Sequence, residues 1–373
     1  MEDTKPNSTE RKSKKWIWKT LFVVLIVGVL VSTAYADFTS DRPMASLDEI
    51  LLTLRENYYY CLLALLSFAG VLFFESLKLN DMIHELTGKF RPKLSMEAAV
   101  LGKYYDNVTP FGAGGQPFQA IHLSRNGVPE GAAAAIAITS FFASQVAFFL
   151  IAVMSTALDC REVPEAVKIV SYVGMGLGVI VPIFTVLFSL FPRVGSAVVG
   201  FFIKLGYRLH LVRDYDATRE KTLSVLVGNA DSLRRIYKKP KVFCRVLLYG
   251  IGEKLALYSI AYFVLRFFGF DIPANGFTEW FLMIQICSFI YAAVTFIPTP
   301  GNSGAADGTF YWLFCLSPLT MESTLKAGMG FPAMLTWRIF AYYMFLIVGS
   351  IVVWRISRRH KHAAQEAASQ KVE

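Results

Sequence analysis

Charge is scarce in this chain. Only 17% of its 373 residues are Asp, Glu, Lys or Arg, against about 25% in soluble domains. Histidine is reduced to five residues, and no HExxH, GxSxG or GKS/T motif occurs. These absences argue against a zinc protease, a serine hydrolase and an ATP-driven pump. The five cysteines, Cys61, Cys160, Cys244, Cys287 and Cys315, form no CxxC pair. They imply neither a disulfide framework nor a metal site, and read as small residues of apolar helices. No compact pairing of nucleophile and base is visible, so no catalytic residue is assigned.

What the chain has instead is apolar length. Its residues are 54% hydrophobic and its mean hydropathy is +0.45. Several runs exceed the roughly 20 residues that cross a bilayer. The expected fold is all-α, a polytopic helical membrane protein with full spans at 17–36, 56–77, 130–154, 168–190, 243–268 and 331–355. Residues 1–15 form a basic tail, 16–355 a single membrane domain and 356–373 a second tail. VSTAYA, Val31 to Ala36, resembles a cleavage site after the basic residues and the run Leu21 to Val31, but removing the segment would upset the charge balance of the loops, so a retained signal anchor is expected.

The excess of Lys and Arg on cytoplasmic loops orients the spans. Arg11, Lys12, Lys14, Lys15 and Lys19 place the N-terminus inside, and Arg355, Arg358, Arg359 and Lys361 do the same for the C-terminus. Lys78, Lys89, Arg91, Lys93 and Lys103 place 78–103 inside. The connection 193–241 carries eleven Lys or Arg against four Asp or Glu, so it is expected inside too. Within it, 196–212 reads as an interfacial helix whose basic face anionic headgroups would attract. No nucleic-acid-binding fold is apparent.

Two further hydrophobic stretches are interrupted by polar, glycine-rich breaks. One is NVTPFGAGGQPFQA, Asn107 to Ala120, and the other is FIPTPGNSGAADGTF, Phe296 to Phe310. A broken helix in a bilayer needs protein, water or ligand for its freed backbone groups. Paired breaks in the two halves of a chain point to a transport site near the midplane. If 96–125 and 279–317 are re-entrant hairpins, they enter from opposite faces, as an inverted repeat of 17–155 and 168–355 would arrange. Two kinked full spans preserve the same parity.

In the first break the candidate site residues are Thr109, Pro110, Gly112, Gly114, Gly115, Gln116 and Gln119. Free N–H groups at a resumed helix could hold a phosphate, and the two glutamines share a helical face. In the second they are Thr299, Pro300, Gly301, Asn302, Ser303, Gly304 and Asp307. Asp307 is the one acid of that neighbourhood, and an acid at membrane depth is usually paired or functional. Its expected partner is Arg338, in the last span, and a second cationic candidate is Lys254. The ions either lock helices together or hold a lipid phosphate. Glu75 and Lys78 read as a surface pair three residues apart, with headgroup guidance as the other reading.

At these breaks the chain resembles a known family. TPFGAGGQPFQAIHLSRNGVP, Thr109 to Pro129, together with FIPTPGNSGAADGTF, resembles the paired signatures of the UPF0104, or YbhN-like, membrane family. That family is similar to the transmembrane flippase region of lysylphosphatidylglycerol synthase/flippase proteins. The resemblance covers about residues 15 to 355. It implies a flippase-type fold with two re-entrant elements, in a bacterial cytoplasmic membrane. The implied activity moves a phosphatidylglycerol-type lipid, plain or aminoacylated, between leaflets, with a link to cationic-peptide resistance. Gly114, Gly115 and Gln116 match motif positions of the first element, Asp307 an acid usually written Glu, and Arg338, in LTWRIFAYY, the arginine of the last helix. Gln116 stands where many members have an acid and Gln119 where many have Arg, so the resemblance does not extend to that charged pair and does not decide for the cationic lysyl lipid.

Two-part members carry a soluble aminoacyltransferase after the membrane region. Here about eighteen polar residues follow the last expected span, so tRNA-dependent synthesis by this chain alone is not expected, even where the family carries the label phosphatidylglycerol lysyltransferase. The expected partners are an anionic or aminoacylated phospholipid and a separate lipid-modifying synthase; no cofactor or metal is implied, and oligomerisation is open. Two alternatives stand beside the flippase: a membrane subunit presenting lipid to a synthase, and a small-solute secondary transporter.

Overall fold

The computed structural model describes residues 46–109, 112, 114–158, 165–191, 196, 200, 204, 228–270, 276–295, 297, 299–316 and 329–369. The expected span 17–36, most of the interfacial helix 196–212 and the site residue Pro110 lie outside them. Every regular element among the described residues is helical.

The first helix, α1, runs Leu47–Thr87. The Ser46 hydroxyl accepts the Glu49 N–H at 3.2 Å, and the Glu49 carboxylate accepts the Ser46 N–H at 2.8 Å. This reciprocal capping satisfies two orphan donors of the first turn. Gly88, at φ +71°, ends the helix in the left-handed conformation that glycine permits. At 1.5 Å per residue α1 is about 60 Å long, roughly twice a hydrocarbon core. The expected span 56–77 is therefore only its middle.

The remaining helices are α2 (Pro92–Val108), α3 (Gly115–Arg125), α4 (Glu130–Ala157), α5 (Glu165–Leu190), α6 (228–237), α7 (Pro240–Phe267), α8 (Gly276–Val294), α9 (Ala305–Tyr311), α10 (Gly330–Arg338) and α11 (Met344–Ser369). A π-helical turn, Trp312–Leu316, follows α9, and another, Ile339–Tyr343, joins α10 to α11. Five helices among the described residues are long and apolar enough to cross a membrane: Asp48–Thr87, Glu130–Ala157, Pro240–Phe267, Gly276–Val294 and the joined Gly330–Arg359. The protein is a multi-pass membrane protein. The expected span 168–190 falls within the 26 residues of α5. The first limb of the second broken element, α8, is itself among the five.

Lipid tails are as apolar as leucine, so helices associate in a bilayer through close packing and hydrogen bonds rather than water exclusion. Small residues provide the close packing here. A Cβ on Gly250 of α7 would sit 2.9 Å from the Ala143 carbonyl oxygen of α4, and one on Gly174 of α5 would collide with the Ala292 carbonyl of α8. Hydroxyls provide the polar contacts: Ser171 donates to the Phe289 carbonyl at 2.8 Å, and Trp280 Nε1 to Ser259 at 2.7 Å.

The buried apolar residues form two clusters. One holds Leu72, Phe148, Tyr258, Phe289, Phe310 and Trp337; the other holds Leu79, Leu94, Leu123, Ile136, Ala143 and Val246. On α1, α4 and α7 the chain passes from one to the other, and the residues at the crossing are polar. Glu75 and Lys78 stand there on α1, Ser144 on α4 and Glu253 on α7. A polar layer therefore separates the two apolar clusters.

If α5 and α8 pack as described, Gly174→Val overpacks a backbone-to-backbone contact and costs about 1–3 kcal/mol. Thermal unfolding in detergent should show a lower midpoint for this variant, and an unchanged midpoint would contradict the packing.

Candidate functional site

The first break is a tight reversal. Gly102 lies against the Gln119 side chain, Gly115 against the Asp106 carboxylate and Gly114 against the Tyr105 carbonyl. Residue numbers rise on α3 as they fall on α2, so the two helices are antiparallel. Tyr105 stacks on Phe118 at 3.4 Å between ring centroids and 6° between planes. Gly112, at φ +60°, makes the turn. A Cβ on Gly115 would strike the Asp106 carboxylate, so glycine is what allows that acid to approach the helix start.

Two N–H groups at the start of α3 are already taken. Thr109 Oγ1 accepts the Gly114 N–H at 2.9 Å, and Asp106 Oδ1 accepts the Gly115 N–H at 2.8 Å. The protein's own carboxylate sits where an anion would be held. The helical face shared by Gln116 and Gln119 is formed: both line one cavity. Gln119 is buried and donates to Glu75 Oε1 at 3.1 Å.

Glu75 and Lys78 do not form the expected surface pair. They bond at 2.7 Å, but with side-chain exposures of 5% and 0%. Lys78 also reaches Glu253 Oε2 at 2.6 Å, and Lys103 bonds Glu253 Oε1. Ser140 donates to Glu75 at 2.8 Å, and Ser144 to Glu253 at 2.8 Å. The result is a buried chain of alternating charge, Glu75–Lys78–Glu253–Lys103, drawn from α1, α7 and α2 and supported by α4. Two of the lysines expected to mark the cytoplasmic loop 78–103 are thus interior groups. The pattern of Glu75 and Lys78, like that of Lys103 and Asp106, places two ionisable residues three apart with apolar neighbours; that spacing is the signal a charge count over loops overlooks.

The second break has its own ion pair. Arg338 Nε bonds Asp307 Oδ1, its Nη2 lies 3.2 Å from Oδ2, and its Nη1 donates to the Gly301 carbonyl at 3.2 Å. Asp307 Oδ2 also accepts the Gly304 N–H at 2.9 Å, capping α9. Thr299 donates to the Ser303 carbonyl at 2.9 Å, and Ser303 to the Pro300 carbonyl at 2.8 Å. Gly301 and Asn302 have φ of +58° and +53°. A Cβ on Gly301 would meet the Tyr342 ring and lie 3.2 Å from Asn107 Oδ1.

That last contact joins the two breaks. Tyr342 also donates to the Asn107 carbonyl at 3.4 Å. Around this junction lie two cavities of about 210 Å³ and 230 Å³. The first is bordered by Glu75, Gln116, Gln119, Ser144 and Lys254, and the second by Asn107, Tyr291, Gly301, Asn302 and Arg338. Lys103, Asp106 and Gly112 belong to both walls. Arg338 and Lys254, the two expected cationic candidates, therefore serve different cavities. Asp106, absent from the candidate residues read from the sequence, stands at the partition.

The model of one protein family, described as the lysylphosphatidylglycerol synthase TM region, matches residues 16–349. The chain belongs to that family. The match spans both breaks, the ionic chain and Arg338, so the lysylphosphatidylglycerol synthase transmembrane region is the framework that carries the candidate site. A comparison with curated proteins gave no match. Among the described residues no cluster of three His, Cys, Asp or Glu side chains that could hold a metal ion occurs.

Removing one member of a buried pair leaves an uncompensated charge and costs about 3–5 kcal/mol. Arg338→Gln should lower stability on that scale in detergent unfolding. The double variant with Asp307→Asn should lose less than the sum of the single losses; strict additivity would contradict a direct pair.

Proposed function

We propose that this protein moves phospholipid between the leaflets of a bacterial cytoplasmic membrane, with the headgroup passing through the two cavities and the acyl chains remaining in lipid. The observation that carries this reading is the pair of cavities sharing Lys103, Asp106 and Gly112. They extend a polar wall from Glu75 and Lys254 to Gly301 and Arg338 between helices long and apolar enough to cross a membrane. Polar surface of this kind lowers the cost of carrying a charged headgroup through the hydrocarbon region. Family membership supports a lipid as the cargo.

In this reading the termini are cytoplasmic and the two broken elements reach the interior from opposite faces. The α2–α3 limbs are 17 and 11 residues long, about 25 and 17 Å, which suits a hairpin that enters and returns. The sites in the path are Thr109, Gly112, Gly114, Gly115, Gln116, Gln119 and Lys254 on one side and Thr299, Pro300, Gly301, Asn302, Ser303, Gly304, Asp307 and Arg338 on the other. Asp106 and Lys103 join them. The resemblance points to a phosphatidylglycerol-type cargo, plain or aminoacylated.

The π-helical turn Ile339–Tyr343 follows Arg338 directly. Such turns are local irregularities that collect at functional sites. Here the turn places Tyr342 against both breaks, where a change in helix register would open or close their junction.

Leaflet exchange of fluorescent phospholipids in proteoliposomes containing only this protein tests the reading. Exchange should require the protein and fall at least about tenfold in Asp307→Asn, the scale of a lost charge-assisted contact. Lipid binding without exchange would instead support a subunit that presents lipid to a synthase. Ion-driven solute flux without lipid exchange would support a solute transporter.

A further inference from the structure

Charge pairing along the path identifies the headgroup class. Six ionisable side chains belong to the first cavity: Glu75, Lys103, Asp106 and Lys254 line it, and Lys78 and Glu253 stand behind them, bonded to Glu75 and Lys103. Four of them neutralise one another in the chain Glu75–Lys78–Glu253–Lys103. Beyond the partition, Asp307 and Arg338 neutralise each other. Two groups remain. Asp106 accepts one backbone N–H, from Gly115, and has no ion pair among the described residues. Lys254 has neither a hydrogen bond nor an ion pair among them. Both border the same cavity, with the neutral side chains of Gln116 and Gln145 beside them.

We infer that the cavity accepts a zwitterionic headgroup, one phosphodiester and one primary ammonium, with the phosphate at Lys254 and the ammonium at Asp106. This rests on the lipid-transport reading and adds the headgroup class to it. A charge inside a low-dielectric site is tolerated when an opposite charge meets it. A headgroup with one charge of each sign satisfies both unpaired groups and leaves no net charge behind. An anionic headgroup satisfies Lys254 and leaves the second Asp106 oxygen without a donor. A headgroup of net positive charge brings a second ammonium to a cavity with one free acid. The ammonium can donate to the Asp106 oxygen that does not hold the Gly115 N–H, so the turn need not open. Gln116 supplies neutral donors and acceptors to phosphate or glycerol oxygens.

The test compares fluorescent phosphatidylethanolamine and phosphatidylglycerol in proteoliposomes of one composition. It is joined to titration of detergent-solubilised protein with glycerophosphoethanolamine and glycerophosphoglycerol. The zwitterionic lipid should exchange faster and the zwitterionic headgroup bind more tightly, each by at least about tenfold. In Asp106→Asn, which keeps an acceptor for the Gly115 N–H, both ratios should fall toward one. Lys254→Gln should slow both lipids, because both carry the phosphate. Equal or faster exchange of phosphatidylglycerol, or ratios unchanged in Asp106→Asn, would overturn the headgroup inference while leaving lipid transport standing. Absence of exchange and of binding for both would overturn the two together.

Discussion

The interior of this protein is organised around Glu253. Its carboxylate is fully buried and receives Lys78 from α1 and Lys103 from α2, while Ser144 of α4 donates to one of its oxygens. Four helices, α1, α2, α4 and α7, thus converge on one residue. Charges at this depth are tolerated only when each is met by an opposite charge or a donor. The requirement fixes relative depth: sliding one helix by a turn would strand an ion in an apolar cluster. The glycine and alanine contacts bring the helices together, and the ionic chain sets their register.

The two breaks depend on that registered frame. Each restarts a helix under an acid, Asp106 on the Gly115 N–H and Asp307 on the Gly304 N–H. The acids differ in origin, since Asp106 comes from the helix before the break and Asp307 from the helix after it. They differ also in pairing. Arg338 neutralises Asp307 and closes that element, whereas Asp106 keeps an unpaired oxygen at the partition between the cavities. One break is therefore electrostatically complete and the other open, which makes the Asp106 side the place where a ligand has most to contribute.

Much of this architecture is legible in the chain. Apolar length reveals the membrane helices, and the combination of Thr-Pro with clustered glycines marks both breaks, because few other residues can turn a backbone inside a bilayer. Asp307 and Arg338 stand out as isolated charges in apolar surroundings. The ionic chain is harder to read. Lys78 and Lys103 flank a basic loop and are absorbed into its charge count, and α1 continues past its most apolar stretch, so Glu75 and Lys78 look terminal when they are interior. Asp106 lies just before the recognisable glycines and is overlooked beside them. Which acid meets which lysine follows from helix packing, and no local spacing encodes a contact such as that between residues 78 and 253.

The central claim is that the two breaks line one polar path. The most direct measurement is thiol accessibility in oriented vesicles, using Gln116→Cys and Asn302→Cys in a background without native cysteines. A small, charged, membrane-impermeant reagent should modify both positions, and a bulky adduct at Asn302→Cys should suppress lipid exchange. If both positions resist the charged reagent yet react with a lipid-soluble one, they face hydrocarbon, and the path described here does not exist.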